Sequence, residues 1–406
     1  PPCAAPSPDG ISASPKRSRP HGGMPQPEPV LICALSGRAL AQAARAAGYA
    51  PIVLDAFGDL DTRDAAAAWR RIPVNRRWLL CRRPLLAAAT RLAPPPIPLV
   101  WGSGFERAPS LLEELATGRS LWGNDSATVR SAKDPSTFAS VANSLGVPHP
   151  ETRLILPRPA AGWLGKRAGA AGGGHVRPAG GQMLRGRGWY WQRRARGEPC
   201  SALVVGNGRE ARTLALGRQL LAPAPGRPFR FGGTVAPAEV SVAAYHRAAE
   251  AAAALAACYA VRGLVSVDML VDGEEIVALE INPRPGASLD AYRCALSLDL
   301  FSAHVAGCRG EDLPEIPETR TVGGSLIVHA HRTVLIPRRF TWPEWTADRS
   351  PPGTRIPAGG PVCTVLAEGG EHRLVERDLR ARAEWILAAC VETGGVSRKA
   401  PCLEPA

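Results

Sequence analysis

The sequence predicts a multidomain protein of α/β and α+β architecture, with an N-terminal open α/β domain and a small β-rich C-terminal module. Three observations carry that reading. The chain has 406 residues, more than one hydrophobic core organises, which argues for about two to four domains. From Val30 the order is strand (VLICAL), turn (SGR), helix (ALAQAARAAG) and strand (APIVLDAF), the βαβ unit that opens a parallel sheet. Further on, LVSVDMLV and EEIVALEI are apolar, β-branched runs separated by Asp272 and Gly273, the pattern of an antiparallel hairpin.

Residues 1–29 are rich in Pro, Ser and Gly, begin without Met and lack an apolar run. They are expected to be a disordered segment outside any core, with Met24 a candidate start. Residues 30–120 are expected to form the open α/β domain. Asp55 ends its second strand, but GxGxxG is absent after the first, which removes the basis for a nicotinamide dinucleotide site. The strand Pro98 to Trp101 runs into Gly102, Ser103 and Gly104 and then Glu106. Backbone amides in such a turn can hold an anion, and without GxSxG the serine is not read as a nucleophile.

Residues 121–310 are expected to form a second domain. NDSATVRSAKDPSTFASVANSLGVPHP reads as a helix carrying Lys133, a second helix capped near Asp134 to Ser136, and a turn. In WLGKRAGAAGGGHVRPA, Lys166 ends a short strand ahead of a glycine-rich hairpin. That suits a lid, about residues 150–190, whose amides at Gly172, Gly173 and Gly174 close on phosphates. It is not a Walker A loop, because Arg167 follows Lys166 and Ala160 stands where the first glycine belongs. His175 is read as an ordinary loop residue. Strands SALVVG and ARTLALG, turning at Asn207 and Gly208, and the helix AAYHRAAEAAAALAACYAV lead into the hairpin.

That hairpin carries the chemistry. Pairing Val271 with Glu274 about the turn sets Asp268 opposite Val277, with Glu280 further along and Asn282 on the same face as Glu280. Asp268 and Glu280 lie inside apolar strands, where an unpartnered carboxylate is costly. Two carboxylates and an amide oxygen are hard donors suited to Mg2+, or Mn2+, that keeps some waters and shares phosphate oxygens. Arg284 follows, stiffened by Pro283 and Pro285. After Leu300 the connector GCRGEDLPEIPETR marks a boundary, and residues 320–395 are expected to form the C-terminal module of strands and a closing helix. His329 and His331 alternate on one of those strands and are read as structural.

The string LEINPRPGAS, with Asp268 one strand earlier, resembles the metal-binding end of the ATP-grasp superfamily, and NDSATVRSAKDPSTF resembles the entrance to its catalytic domain. The resemblance implies an ATP-grasp fold, ATP with two Mg2+ ions held by Asp268, Glu280 and Asn282, and Lys133 and Lys166 on the phosphates. It implies Arg284 facing the transferred phosphoryl group or the acyl intermediate, and Gln192 and Glu198, near Trp191, lining the adenine and ribose pocket. The activity implied is ATP-dependent ligation: a small-molecule carboxylate becomes an acyl phosphate and is attacked by an amine or similar nucleophile. The arrangement of GSGFE before the domain and DRSPPGT behind it is similar to carboxylase-related members associated with pterin or furan one-carbon cofactor biosynthesis.

Composition frames the alternatives. A formal charge of +13 raises anionic partners, and the Trp189 to Arg196 cluster is what a protein stacking single-stranded nucleic acid would carry. That class leaves Asp268, Glu280 and Asn282 without a role, so no nucleic-acid partner is expected. An ATP- and bicarbonate-dependent carboxylase is the other alternative. The ten cysteines show neither CxxC pairs nor zinc spacing and are expected as thiols in a reducing, cytoplasmic setting, and no run is long enough to span a membrane. Of 49 basic residues only Lys16, Lys133, Lys166 and Lys399 are lysines, and two of them fall in the motifs above. An ammonium is a compact donor that a planar guanidinium does not replace. Lys166→Arg is therefore expected to impair ATP turnover severely although charge is kept; near wild-type ADP release from that variant would defeat the argument.

Overall fold

The computed structural model describes residues 26–180, 188–319 and 321–391. Most of the expected disordered segment, with Met24, lies outside the described residues, as do residues 181–187 of the lid and 392–395 of the C-terminal module. The N-terminal strands pair in parallel in the spatial order Ala68–Arg71, Ala50–Asp55, Pro29–Ala34, Leu99–Trp101, Leu121–Trp122. Helices cover both faces, so Val30 through Ala34 are all buried and read as one apolar run. The order reverses between Pro29–Ala34 and Leu99–Trp101, which opens a crevice beyond the carboxyl ends of those two strands.

The second sheet has eight antiparallel strands. From one edge they are Glu275–Asn282, Arg262–Asp272, Glu198–Asn207, Ala211–Leu221, Phe231–Ala236, Val322–His329, Pro361–Gly369 and Thr346–Ala347. The C-terminal strands thus continue the sheet that begins with the hairpin, through pairing of Phe231–Ala236 with Val322–His329. The helix Val242–Cys258 buries Ala248, Ala252 and Leu255 against Val204, Val267 and Ile281, and the Ser241 hydroxyl caps it by accepting the Ala244 amide at 3.1 Å. The closing helix His372–Val391 packs Val375, Leu379 and Ile386 with Val365. His331 lies beyond the end of Val322–His329 and is exposed, so the two histidines do not share a strand face as expected.

The hairpin register differs from the sequence expectation by two steps. Asp272 pairs with Glu275, which moves the turn to Gly273 and Glu274, and a bulge between Asp268 and Met269 leaves Leu279 as the extra residue. The new turn shifts the partner of Val271 by two residues, from Glu274 to Ile276, which alone would have set Leu279 opposite Asp268 and left Glu280 on the other face; the bulge adds a third residue and brings Asp268 directly opposite Glu280. Sequence pattern locates the hairpin, but bulges arise from neighbouring packing that it does not reveal.

The lid is a four-stranded sheet in the order Thr152–Arg153, Trp189–Arg193, Trp163–Arg167, Arg177–Pro178. Tyr190 and Trp191 are buried, and the Arg153 and Arg193 guanidiniums lie 5.8 and 5.7 Å from the Trp163 ring centroid. Much of the aromatic and basic cluster is therefore internal packing. No helix among the described residues is long and apolar enough to cross a membrane.

The glycine turn of the lid is docked on the second sheet. The Phe231 amide donates to the Gly172 carbonyl at 2.9 Å, and a Cβ on Gly173, which sits at φ +63°, would lie 1.9 Å from the Phe229 carbonyl oxygen. Gly173→Ala adds both that clash and a left-handed penalty of about 1–2 kcal/mol. It is expected to speed amide hydrogen exchange across residues 168–178 by roughly fivefold or more while leaving the core strands protected; unchanged exchange there would show that the turn does not depend on this contact.

Candidate active site

The sheet register builds an acidic centre with fixed supports. The Tyr292 hydroxyl, fully buried, donates to the Ser201 carbonyl at 2.6 Å, and the Ser201 hydroxyl donates to Asp268 Oδ1 at 2.7 Å. Gln219 Nε2 donates to the same oxygen at 3.0 Å, and Asn282 Nδ2 donates to Asp268 Oδ2 at 3.0 Å. Lys133, at the C-terminal end of the helix Ser126–Lys133, places its ammonium 2.7 Å from Asn282 Oδ1 and 3.3 Å from Glu280 Oε2. Asp134 next to it caps the following helix by accepting the Thr137 amide at 2.7 Å, as the sequence predicts.

Burial pushes the Asp268 carboxyl above the usual carboxylate range, and Glu280 beside it adds to the effect against the Ser201 hydrogen bond and the Lys133 and Arg284 charges. At Glu280 burial also acts upward, but Lys133, Lys166 and His175 outweigh it and hold the carboxyl below its usual range. Lys166 is buried on Trp163–Arg167 with no hydrogen bond or ion pair among the described residues, and burial lowers the pKa of its ammonium. Arg284 Nε donates to Glu106 Oε1 at 2.7 Å in an ion pair buried on both sides, and Glu106 Oε2 accepts the Gly104 amide at 2.8 Å. The turn expected to offer amides to an anion thus has one of them engaged by its own carboxylate.

A cavity of about 390 Å³ opens between lid and sheet. From the lid side it is lined by Lys166, Gly172, Gly173 and Gln192; from the hairpin side by Asp268, Glu280, Asn282 and Arg284. Gly174 does not line it, and neither does Glu198, which is exposed at the start of its strand while Gly197 and Pro199 form the wall. Sequence reasoning missed Ser201 and Gln219, because only the register shows them reaching Asp268. It also passed over His175, which is half-buried, has an Nδ1 without a hydrogen-bond partner among the described residues and has its pKa lowered to about 4 by burial, with Lys166 and Lys133 adding to that against Glu280.

A divalent metal fits this donor set. Among the described residues no group of three or more His, Cys, Asp or Glu could hold a metal, but Asp268, Glu280 and the Asn282 amide oxygen are hard donors of the kind that leave positions for water and phosphate. The Lys133 ammonium is seated between Asn282 Oδ1 and Glu280 Oε2, so these oxygens face one positive charge already.

The open α/β domain, the lid and the carboxylate hairpin together define a nucleotide-binding architecture. Residues 136–288 match the ATP-grasp domain family, and the chain carries an ATP-grasp domain. Its fold is similar to that of biotin carboxylase from Campylobacter jejuni in complex with β-γ-ATP, with a TM-score of 0.70 and 14% identity over 88% of this chain and 94% of that one. It is similar to the biotin carboxylase domain of the Hydrogenobacter thermophilus 2-oxoglutarate carboxylase with MgADP and bicarbonate (TM-score 0.69, 12% identity, 87% and 89% covered). The same holds for N5-carboxyaminoimidazole synthase from Aspergillus clavatus with ADP and 5-aminoimidazole ribonucleotide (TM-score 0.66, 16% identity, 88% and 99% covered). No curated protein matches the sequence.

The Lys133 contact changes what neutralising Glu280 does. Repulsion between two bare carboxylates would make Glu280→Gln stabilising, but here Glu280 is the main counter-charge of two buried lysines. The variant is expected to lose about 1–2 kcal/mol without metal at neutral pH. Because the folded pKa of Glu280 is depressed, its contribution is present above about pH 4 and lost as pH falls through the folded value. Thermal melts of the two proteins should then converge in acid, and equal melting at neutral pH would contradict the pairing.

Proposed function

We propose that the protein is an ATP-dependent ligase that activates a small-molecule carboxylate as an acyl phosphate and joins it to an amine or similar nucleophile. The observation that carries this reading is the convergence of Lys166, Asp268, Glu280, Asn282 and Arg284 on one cavity under a docked glycine lid. The ATP-grasp match supports the nucleotide, and Mg2+ held by Asp268, Glu280 and Asn282 would neutralise phosphate charge. Lys133, bonded to Asn282 and Glu280, and Lys166, on the cavity wall, add positive charge beside these donors. The amides of Gly172 and Gly173 donate to nothing else among the described residues and are free to bind phosphate. Arg284, oriented by Glu106, presents its remaining guanidinium donors at the cavity wall, where charge on the transferred phosphoryl group develops. Gln192, buried on a lid strand, lines the cavity and would meet the adenine. Closure of the lid excludes water that would hydrolyse an acyl phosphate.

Carboxylation with bicarbonate is the second reading, because bicarbonate is itself a carboxylate substrate and the two biotin carboxylases described above have a similar fold. The likeness to proteins of pterin or furan one-carbon cofactor biosynthesis supplies candidate carboxylates and amines. An ADP-release screen with amino acids, polyamines, pterin and furan compounds and bicarbonate separates these readings. Mg-ATP is expected to raise the melting temperature, by the equivalent of about 2.7 kcal/mol at a hundredfold excess over Kd. No thermal shift at millimolar Mg-ATP would count against the whole assignment.

A further inference from the structure

A second cavity, of about 200 Å³, lies in the crevice where the parallel sheet reverses its strand order, the place where open α/β sheets bind ligands. Ser36 and Arg38 follow one central strand there and Gly102 and Ser103 the other; Gly286 and Ala287 form a wall shared with the lid cavity. The lining carries three carboxyl groups, Asp59, Asp290 and Asp348, against one cation, Arg38. Arg38 is buried and fully engaged, bonding Asp290 at 2.6 and 2.7 Å and Asp348 at 3.0 and 2.9 Å. Asp348 also accepts the Thr364 hydroxyl at 2.6 Å, Asp61 accepts the amides of Asp348 and Arg349 at 2.9 Å each, and Asp55 accepts those of Gly37 and Gly58 at 3.1 and 2.8 Å.

Asp59 alone in this group is unsatisfied. It is 4% exposed, lines the cavity, and its carboxyl makes no cap bond to its own helix and no hydrogen bond or ion pair among the described residues, although its backbone carbonyl accepts the Arg63 amide at 3.1 Å. Burial, with the Asp348, Asp55 and Asp61 carboxylates adding to it against the Arg38 charge, raises its pKa to about 8. A carboxyl with that pKa is largely protonated at neutral pH, and a ligand cation would stabilise its ionised form by pairing with it. Phe57, Ile327 and Val362 supply an apolar remainder to the wall.

We propose that this cavity binds an organic cation, a primary amine or guanidine on a short apolar body, with the Asp59 carboxylate as its counter-ion. An anion is disfavoured, since the one lining cation already has two carboxylate partners. The ligand's place in the reaction rests on the ligase reading: through the wall at Gly286 and Ala287 it would lie beside the phosphoryl-transfer site as the amine-bearing co-substrate.

The test is calorimetric titration of the full chain with n-butylamine, benzylamine and agmatine, beside the neutral 1-butanol and the anionic butyrate, on wild type and Asp59→Asn. At least one of the three cations is expected to bind saturably and the neutral and anionic probes not to. Asp59→Asn should weaken that binding roughly tenfold to hundredfold, as loss of a charge-assisted bond does, while its Mg-ATP thermal shift stays at the wild-type value and shows that the variant is folded. Binding of none of the cations, equal binding of 1-butanol, or undiminished binding to Asp59→Asn would overturn the proposal. Cation binding that needs Asp59 in a protein that gives no Mg-ATP shift would leave the site standing and remove the ligase reading.

Discussion

The site depends on compensated buried charge. Two carboxylates on one sheet face, Asp268 and Glu280, would repel each other in a buried setting, and two buried lysines would do the same. Interleaved, they hold one another: Lys133 sits between Asn282 and Glu280, while Ser201 and Gln219 both donate to Asp268 Oδ1 and Asn282 to Oδ2. Every element that meets here brings part of the balance. The helix Ser126–Lys133 supplies one ammonium, the lid another, and the hairpin the anions. Removing any one leaves the others uncompensated, so the domain's architecture and the site's electrostatics are one problem.

A second buried pair ties this centre to the parallel sheet. Arg284 leaves the hairpin strand and meets Glu106, which in turn holds the Gly104 amide of the turn beyond Leu99–Trp101. Asn124 reinforces the join, its amide nitrogen donating to the Pro283 carbonyl at 2.9 Å and its oxygen accepting the Arg262 amide at 2.8 Å. Arg38 makes a comparable junction among Asp290, Asp348 and Asp61. Directional charged bonds of this kind fix orientation as apolar contact alone does not. Two cavities with a common wall are a consequence, since three layers converge at Gly286 and Ala287.

Charge on the whole chain is a poor guide to charge at the site. The net +13 comes from arginines, many of them on the surface or stacked on Trp163. The cavity at the strand-order reversal is acidic. Bulk electrostatics governs long-range encounter, whereas a buried carboxylate such as Asp59 responds to groups within a few ångströms.

Local pattern determined much of this protein from the sequence alone. Continuous apolar runs marked the parallel strands, the Asp134 cap marked a helix start, and scarcity of lysine made Lys133 and Lys166 conspicuous; both lie at the candidate site. Asp268, Glu280 and Asn282 were legible because carboxylates inside β-branched runs need a reason to be there. Register was decided only by tertiary packing: the bulge at Leu279 sets Asp268 against Glu280, and pattern about a turn cannot announce a bulge. Ser201, Gln219, Glu106 and Asp59 acquire their places from strands far apart in the chain, so nothing near them in sequence records their partners. The C-terminal strands likewise join the hairpin's sheet through pairing of residues about 90 positions apart, because backbone hydrogen bonding across an open sheet edge is satisfied by whatever strand the fold delivers there.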